Sequence, residues 1–291
     1  MKFNFSRIDR RVIFVLVALS LSLPLLFGLR VKPARMDSAD KAYATIEALD
    51  QKPGDFAFLA LDFGPNTKAE NLPQAEVIIE HLMRKRIPVA LFSIYVLAEP
   101  FLESVPTGVA ERLMREFPGE KWEYGKDWVN LGYNPGGFLI IQAIPKSLDL
   151  TELFQKDARG NRLVDIPALH AGKDMRSMIF AAQFTGLVGT FSTYMQFLMQ
   201  RNDYKPSFVH GCTSITIPEA YIYMDSGQIK GLLEGIAGAA WYSELLNQHN
   251  PGRVPDSSEL VNTGLGVAHL VVIFMVLLGN LAALLARRRV A

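Results

Sequence analysis

Cysteine is nearly absent: Cys212 is the single one in 291 residues. An intrachain disulfide is therefore impossible, a cysteine-based zinc site is ruled out, and packing has to hold the fold. An excess of one charge is missing as well. The net charge is +1, which gives no basic footprint for nucleic acid and removes it as an expected partner. The first apolar strand is followed by Asp62-Phe63-Gly64-Pro65-Asn66, with no G-x-G-x-x-G and no G-K-[ST], so neither a dinucleotide fingerprint nor a P-loop is present. The five histidines, His81, His170, His210, His249 and His269, contain no H-x-x-x-H or H-E-x-x-H spacing. No cofactor and no metal site is expected, and no set of residues identifies a reaction.

What the chain does have is two long apolar runs at its ends, residues 12–29 and 264–286. Both reach the roughly 18–20 residues a helix needs to cross a hydrocarbon core of about 30 Å. Lys2, Arg7, Arg10 and Arg11 precede the first, and Arg287, Arg288 and Arg289 follow the second. The positive-inside rule then makes the tails 1–11 and 287–291 cytoplasmic and the intervening domain extracytoplasmic. Arg30, Lys32 and Arg35 argue for the opposite orientation. A cleaved signal peptide also fits a basic start with an apolar run, but Phe27-Gly28-Leu29-Arg30 offers no small-x-small cleavage site. Ser20, Pro24 and Gly28 recur every four residues, a spacing that lets membrane helices approach closely.

Between the apolar runs, a linker at 30–52 leads to one domain at 53–260, long enough for a full core. Phe56–Leu61 reads as a buried strand. From Asn71 to Arg86 the residues Leu72, Ala75, Ile78, Ile79, Leu82 and Met83 follow helical spacing, and Val89–Tyr95 is a second apolar strand. The alternation continues with helices at 107–117 and 190–200 and strands at 128–133, 178–183 and 208–213; 138–144 reads as a helix from the Asn-Pro-Gly-Gly before it, though its composition suits a strand equally well, and 148–173 is expected to be an irregular surface loop or flap. Strands that are apolar throughout, interleaved with helices, predict an α/β fold with an open, mainly parallel sheet covered on both faces, Rossmann-like or flavodoxin-like in order.

Residues 226–246 read as one helix in which Gly227, Gly231, Gly235 and Ala239 recur every four residues. Interior glycines cost about 1 kcal/mol each relative to alanine, so this ridge is expected to meet something at very close range. The string Ser226-Gly227-Gln228-Ile229-Lys230-Gly231-Leu232-Leu233-Glu234-Gly235-Ile236-Ala237-Gly238-Ala239-Ala240, with residues 124–133, resembles an uncharacterised family of prokaryotic membrane-anchored α/β proteins. The resemblance implies an architecture and no activity.

In open parallel sheets ligands bind beyond the carboxyl ends of the strands. The residues placed there are Asp62 and Asn66 after the first strand, Asn134, Gly136 and Gly137 after the third, Thr185, Gly186, Gly189 and Thr190 after the fourth, and Thr213 and Ser214 after the fifth. Glycine-rich turns that open helices present backbone N–H groups to an anion, so a small anionic ligand fits this rim, as does a purely structural role for the turns. Asp62 is a candidate base or a turn cap. His210 and Cys212 share one side of a strand, with no third residue to orient the histidine. The expected function is a non-enzymatic accessory subunit of a membrane complex, binding a membrane-protein partner, a second copy or a small ligand. The alternative is a membrane-bound hydrolase or transferase using Asp62 and the rim.

Overall fold

The structure, a computed structural model, describes residues 10–147, 149–169, 175–199 and 204–287. It divides into two compact units: residues 34–256, and the chain on either side of them. Of the tails expected at 1–11 and 287–291, residues 1–9 and 288–291 lie outside the described residues, as does His170.

The first apolar run forms α1 (Arg10–Phe27), which contains Pro24. Gly28, at φ +64°, stops it, and the Leu29 N–H turns back to the Pro24 carbonyl at 2.9 Å.

In the α/β unit, α2 (Asp37–Glu47) precedes β1 (Phe56–Asp62), α3 (Lys68–Arg84), β2 (Val89–Ser93), α4 (Glu99–Glu116) and β3 (Trp128–Tyr133). There follow α5 (Phe138–Ala143), α6 (Leu150–Phe154), β4 (Met178–Thr185), α7 (Thr190–Phe197), β5 (Ser207–Cys212), α8 (Ile217–Asp225), β6 (Gly231–Glu234) and α9 (Gly235–His249). The sheet has six strands in the order β3-β2-β1-β4-β5-β6, and every pairing is parallel. This is the doubly wound Rossmann order, in which the chain reverses direction across the sheet between β1 and β4.

Every residue of β1 is buried, as a central parallel strand with both faces covered requires. Ala57, Leu59 and Leu61 point into a core layer shared with α2, α3, α4 and α9. Phe56, Phe58 and Ala60 point into the opposite layer, under α5, α6 and α7. The segment expected as a surface flap belongs to that second layer. Leu150, Leu163, Ile166, Ala168 and Leu169 are buried beneath the sheet, because an apolar face left open by the long β3-to-β4 crossover has to be covered by the crossover itself.

The single helix expected at 226–246 is not formed. Gly227 (φ +74°) makes the turn after α8, Gly231 lies in β6, and Gly235 (φ +55°) starts α9, so the four-residue recurrence spans three elements and only Ala239 sits inside a helix. Two left-handed glycines interrupt the helical path, and Leu232 and Leu233 each fill one core layer, which sheet alternation achieves and a helix does not. Close approach does occur at Gly231. A Cβ there would overlap the backbone of Ala42 in α2.

Opposite the carboxyl rim, α3, α4 and the segment after α9 are joined through buried ions. Glu80 accepts from Arg253 Nε and Nη2 at 2.6 and 2.8 Å, from Arg84 at 2.9 Å and from Arg112 at 3.0 Å. Arg253 also donates to Asp256 at 2.5 Å, and Arg84 to Glu116. Burial raises Glu76 beside them to about 7 against the pull of Arg112. Nearby, His81 joins three helices: its ring nitrogens meet Tyr242 Oη and Glu47 Oε1, each at 2.6 Å, and Tyr43 stacks on it with centroids 4.5 Å apart.

The C-terminal apolar run is α10 (Ser258–Arg287). Among the described residues it is the one helix long and apolar enough to cross a membrane, over 24 residues from Ser258 to Leu281 at a mean hydropathy of 2.2. The expectation of two bracketing spans is corrected here. The apolar helix at the other end, Arg11–Phe27, falls short of that length, because Gly28 ends it. α1 instead packs along α10. Its Ser20 and Pro24 are buried, Gly264 of α10 comes close to the Leu21 backbone, and Thr263 Oγ1 accepts from the Val31 N–H at 2.9 Å.

Two glycine substitutions separate close packing from backbone cost. Gly231→Ala is expected to destabilise by about 1–3 kcal/mol through overpacking against α2. Gly108, inside α4 with open space where a Cβ would sit, is expected to gain up to about 1 kcal/mol as alanine. Urea unfolding of the full chain in detergent, followed by circular dichroism, measures both.

Candidate functional site

At the carboxyl end of β1, Asp62 is fully buried. Its Oδ1 accepts from Ser93 Oγ at 2.9 Å and from the Ile94 N–H at 3.0 Å, and its Oδ2 accepts from Gln183 Nε2 at 2.8 Å. Asp62 and Gln183 alternate onto the same face of adjacent strands, under α7, whose buried Tyr194 hydroxyl stands beside the carboxylate. Among the described residues neither that hydroxyl nor Gln183 Oε1 has a hydrogen-bond partner. Burial raises the Asp62 pKa above the usual carboxylate range, with the donors from Gln183, Ile94 and Ser93 pulling the other way. Tyr194 is pushed well above a normal phenol by burial and then by the Asp62 charge.

The rim around this carboxyl is closely knit. Thr185 Oγ1 donates to the Asp62 carbonyl at 2.9 Å and accepts from the Leu187 N–H at 3.0 Å. A Cβ on Gly186 would lie 2.5 Å from Thr67 Cγ2 and 2.7 Å from Thr213 Cγ2, so only glycine lets the turns after β1, β4 and β5 meet. Ser214 donates from its N–H and Oγ to Glu70 Oε2 at 2.9 and 2.6 Å. Gln74 Nε2, at the buried end of α3, donates to the carbonyls of Cys212, Leu233 and Gly235 at 2.8, 3.1 and 2.9 Å, tying the ends of β5 and β6 together.

Of the residues expected on the rim, Asp62, Thr185, Gly186 and Thr213 come together at the β1/β4 switch, and Ser214 stands with Glu70. Asn66 is exposed. Asn134 lies after the edge strand β3, where its Oδ1 accepts from the Gly136 N–H at 2.9 Å in a local turn and its N–H reaches Ser93 O at 2.8 Å. Gly137 (φ +55°) and Gly189 (φ +81°) have the left-handed backbone that opens α5 and α7, with Thr190 the first residue of α7. Ser93, Gln183, Tyr194, Glu70 and Gln74 were not foreseen. Gln183 carried a signal: it is the one amide in an otherwise apolar strand, and a polar group buried there needs a specific partner.

Chemically, Asp62 acts as a pin. It is sealed from solvent and holds β1, β2 and β4 at their ends. Cys212 is equally inert: burial, then the Glu234 charge, pushes its thiol up to about 12, far from the thiolate that nucleophilic cysteines need. His210 stacks on Phe191 at 3.8 Å between centroids and meets the Gln183 carbonyl through Nδ1 at 3.0 Å, and burial lowers it to about 3. Among the described residues no three of His, Cys, Asp and Glu are grouped so as to hold a metal ion.

Compared with known proteins, the chain matches no protein-family model, no curated protein and no solved structure.

Two substitutions at Asp62 distinguish a pin from a base. Asp62→Ala leaves the Ser93, Ile94 and Gln183 donors unsatisfied and is expected to cost about 1–3 kcal/mol per stranded donor at most. Asp62→Asn keeps the shape, accepts the same bonds at Oδ1 after a Gln183 amide flip and is expected to remain near wild-type stability in urea unfolding. His210 gives a pH signature. Its folded pKa of about 3 lies below the ordinary 6.5, so the unfolded chain takes up a proton that the folded state refuses. Stability is whole above 6.5 and falls as pH drops from 6.5 toward 3. His210→Phe retains the stack on Phe191 and is expected to flatten that acid limb in thermal unfolding measured across pH.

Proposed function

We propose that this chain is a membrane-anchored, non-enzymatic accessory protein that presents its α/β unit outside the cytoplasmic membrane to a partner or a small ligand. The observation that carries the reading is the state of the two most reactive groups near the rim. Asp62 and Cys212 are both buried, the first with each oxygen engaged and the second with a thiol held far above neutral pH. A rim built around sealed groups suits binding better than bond-breaking, which weighs against the hydrolase alternative. The glycine turns at Gly137 and Gly189 leave room for a small anion as a second kind of ligand.

Anchoring is assigned to α10. Leu270, Ile273, Phe274, Val276 and Leu277 are exposed along it, a row that water disfavours and lipid accepts. Arg287, Arg288 and Arg289 at its end favour the cytoplasmic side for the C-terminus, which leaves the α/β unit on the other side.

Val272→Asp combined with Val276→Asp puts two charges in the middle of α10, each costing about 2.5–3.5 kcal/mol at a helix centre in a bilayer. The expected outcome is release of the protein from membranes by alkaline carbonate, where the unsubstituted chain stays bound; retention of the doubly substituted chain would overturn the anchor. Extraction of the full chain in mild detergent, with mass spectrometry of whatever remains in stoichiometric amount, tests the accessory role. A fixed membrane partner is expected, and a chain that emerges alone and monodisperse would overturn that role.

A further inference from the structure

The buried ions at the amino end of the sheet do not balance. Four carboxyl groups, Glu76, Glu80, Glu116 and Asp256, meet three guanidinium groups, Arg84, Arg112 and Arg253, and none of these side chains is more than 19% exposed. Charges held out of water in this way are costly unless each is paired. All but one are. Glu80 accepts from Arg253, Arg84 and Arg112, Glu116 from Arg84, and Asp256 from Arg253. Glu76 is the surplus group. It stands one helical turn before Glu80 on α3, and its Oε2 is 3.8 Å from Arg112 Nη1, too far for a hydrogen bond. Arg112 Nε, which is buried, has no partner among the described residues. Both members of a strong charge-assisted pair are present, and the pair is not closed.

We infer that Glu76 is a proton-binding site that governs how firmly the segment after α9 is held to α3 and α4. Protonated, Glu76 leaves Arg112 to Glu80, the remaining charges cancel, and Arg253 and Asp256 stay in place. Ionised, it draws Arg112 toward itself and sets a further negative charge beside Asp256 and Glu80, so the segment loosens. The charged groups that face Glu76 are Arg112 on α4, Glu80 on α3, and Arg253 and Asp256 on the segment after α9, with Arg84 and Glu116 behind Glu80. From α9 itself the nearby groups are neutral, Ser243 and Asn247, and both bond Arg253. Burial raises Glu76 most, Asp256 and Glu80 add to the rise, and the pull of Arg112 and Arg253 leaves it at about 7, which puts the change near neutral pH. Glu80 does not compete for the proton: burial pushes it up, but the bonds and charge of Arg253 outweigh that and hold it below its ordinary value. The part of the Glu76 side chain that reaches solvent, 19%, gives the proton a way in. The segment matters because Asp256 is the last residue of the α/β unit and α10 begins at Ser258. Val254 is tied down as well, its N–H donating to Glu116 at 3.2 Å, so the cluster sets how much slack chain joins the unit to α10.

The test follows a nitroxide spin label on Pro255→Cys, an exposed position within the segment, in the full chain in detergent; the native Cys212 is buried. A label on Gln228→Cys, exposed on the turn between α8 and β6, is the reference. As the pH is raised from about 5 to about 8, the label at 255 is expected to gain mobility with a midpoint near 7, and the label at 228 to stay unchanged. Glu76→Gln keeps the shape and cannot ionise, so it is expected to hold the label at 255 in its acid state throughout. Glu76→Ala is expected to give the same flat profile, which keeps the result from hanging on one variant. No change at 255 with Glu76 in place, or a transition that persists in either variant, would overturn the inference. Histidines are the other side chains that change charge near neutrality, so His249→Gln at the end of α9 is measured too. The transition is expected to survive it; loss of the transition would assign it to His249 instead. Stability gives an independent reading. A carboxyl whose folded pKa of about 7 lies above its ordinary 4.5 contributes stability that is whole below 4.5 and is lost as pH rises through 7. In urea unfolding, the unfolding constant of the chain divided by that of Glu76→Gln is expected to rise at least about tenfold between about pH 5 and about pH 8, and a ratio that does not move would overturn the inference.

Discussion

The end of the central strand has to keep a carboxyl group inside protein, and the architecture of the rim follows from how that is done. β1 lies where the sheet reverses direction, with β2 on one side and β4 on the other, and in most such folds the resulting crevice is the ligand site. Here Asp62 occupies its floor. A carboxyl removed from water is costly unless its oxygens find donors, and they come from both flanks: Ser93 and Ile94 at the end of β2, and Gln183 in β4. Satisfying one residue therefore fixes the spacing of three strand ends. Tyr194 on α7 closes the space above.

The two ends of the sheet solve the problem of burial in opposite ways. At the amino end, α3, α4 and the segment after α9 are drawn together by Glu80, Arg84, Arg112, Arg253 and Asp256. Such a cluster contributes little over an apolar core, yet removing one member strands the others at a cost of about 3–5 kcal/mol. At the carboxyl end no such ion cluster forms among the described residues; single carboxyl groups accept from neutral donors, as Asp62 does from Ser93 and Gln183 and Glu70 from Ser214, beside the Gln74 amide on three carbonyls, the Thr185 hydroxyl on Asp62 O, and glycine at 186.

Most of the sheet was legible in the sequence. Five of the six strands are apolar runs bounded by turn residues, and parallel strands buried on both faces write themselves that way. The helix at α3 was readable from Ala75, Ile78, Ile79, Leu82 and Met83, though it begins three residues before the expected Asn71. What misled was spacing without context. Gly227, Gly231 and Gly235 recur at helical pitch but serve as a left-handed turn, a strand residue under α2, and the left-handed start of α9. Four residues is too short a run for period alone to tell strand from helix. The apolar run at 12–29 overstated its helix for a related reason: hydropathy ignores the backbone, and Gly28 stops α1 with a positive φ.

Residue order alone therefore determined the α/β class, the places of the strands, the glycine turns at their carboxyl ends, and one apolar helix long enough to cross a membrane. These are local quantities, fixed by side-chain polarity and backbone preference within a few residues. Tertiary structure decided which of the rim residues meet, and that Asp62 is sealed by Ser93 and Gln183 from strands 31 and 121 positions away in the chain. Such relations depend on the strand order, which hydrophobic pattern does not encode, because any permutation of buried parallel strands satisfies the same pattern and only specific packing and hydrogen bonding selects among them.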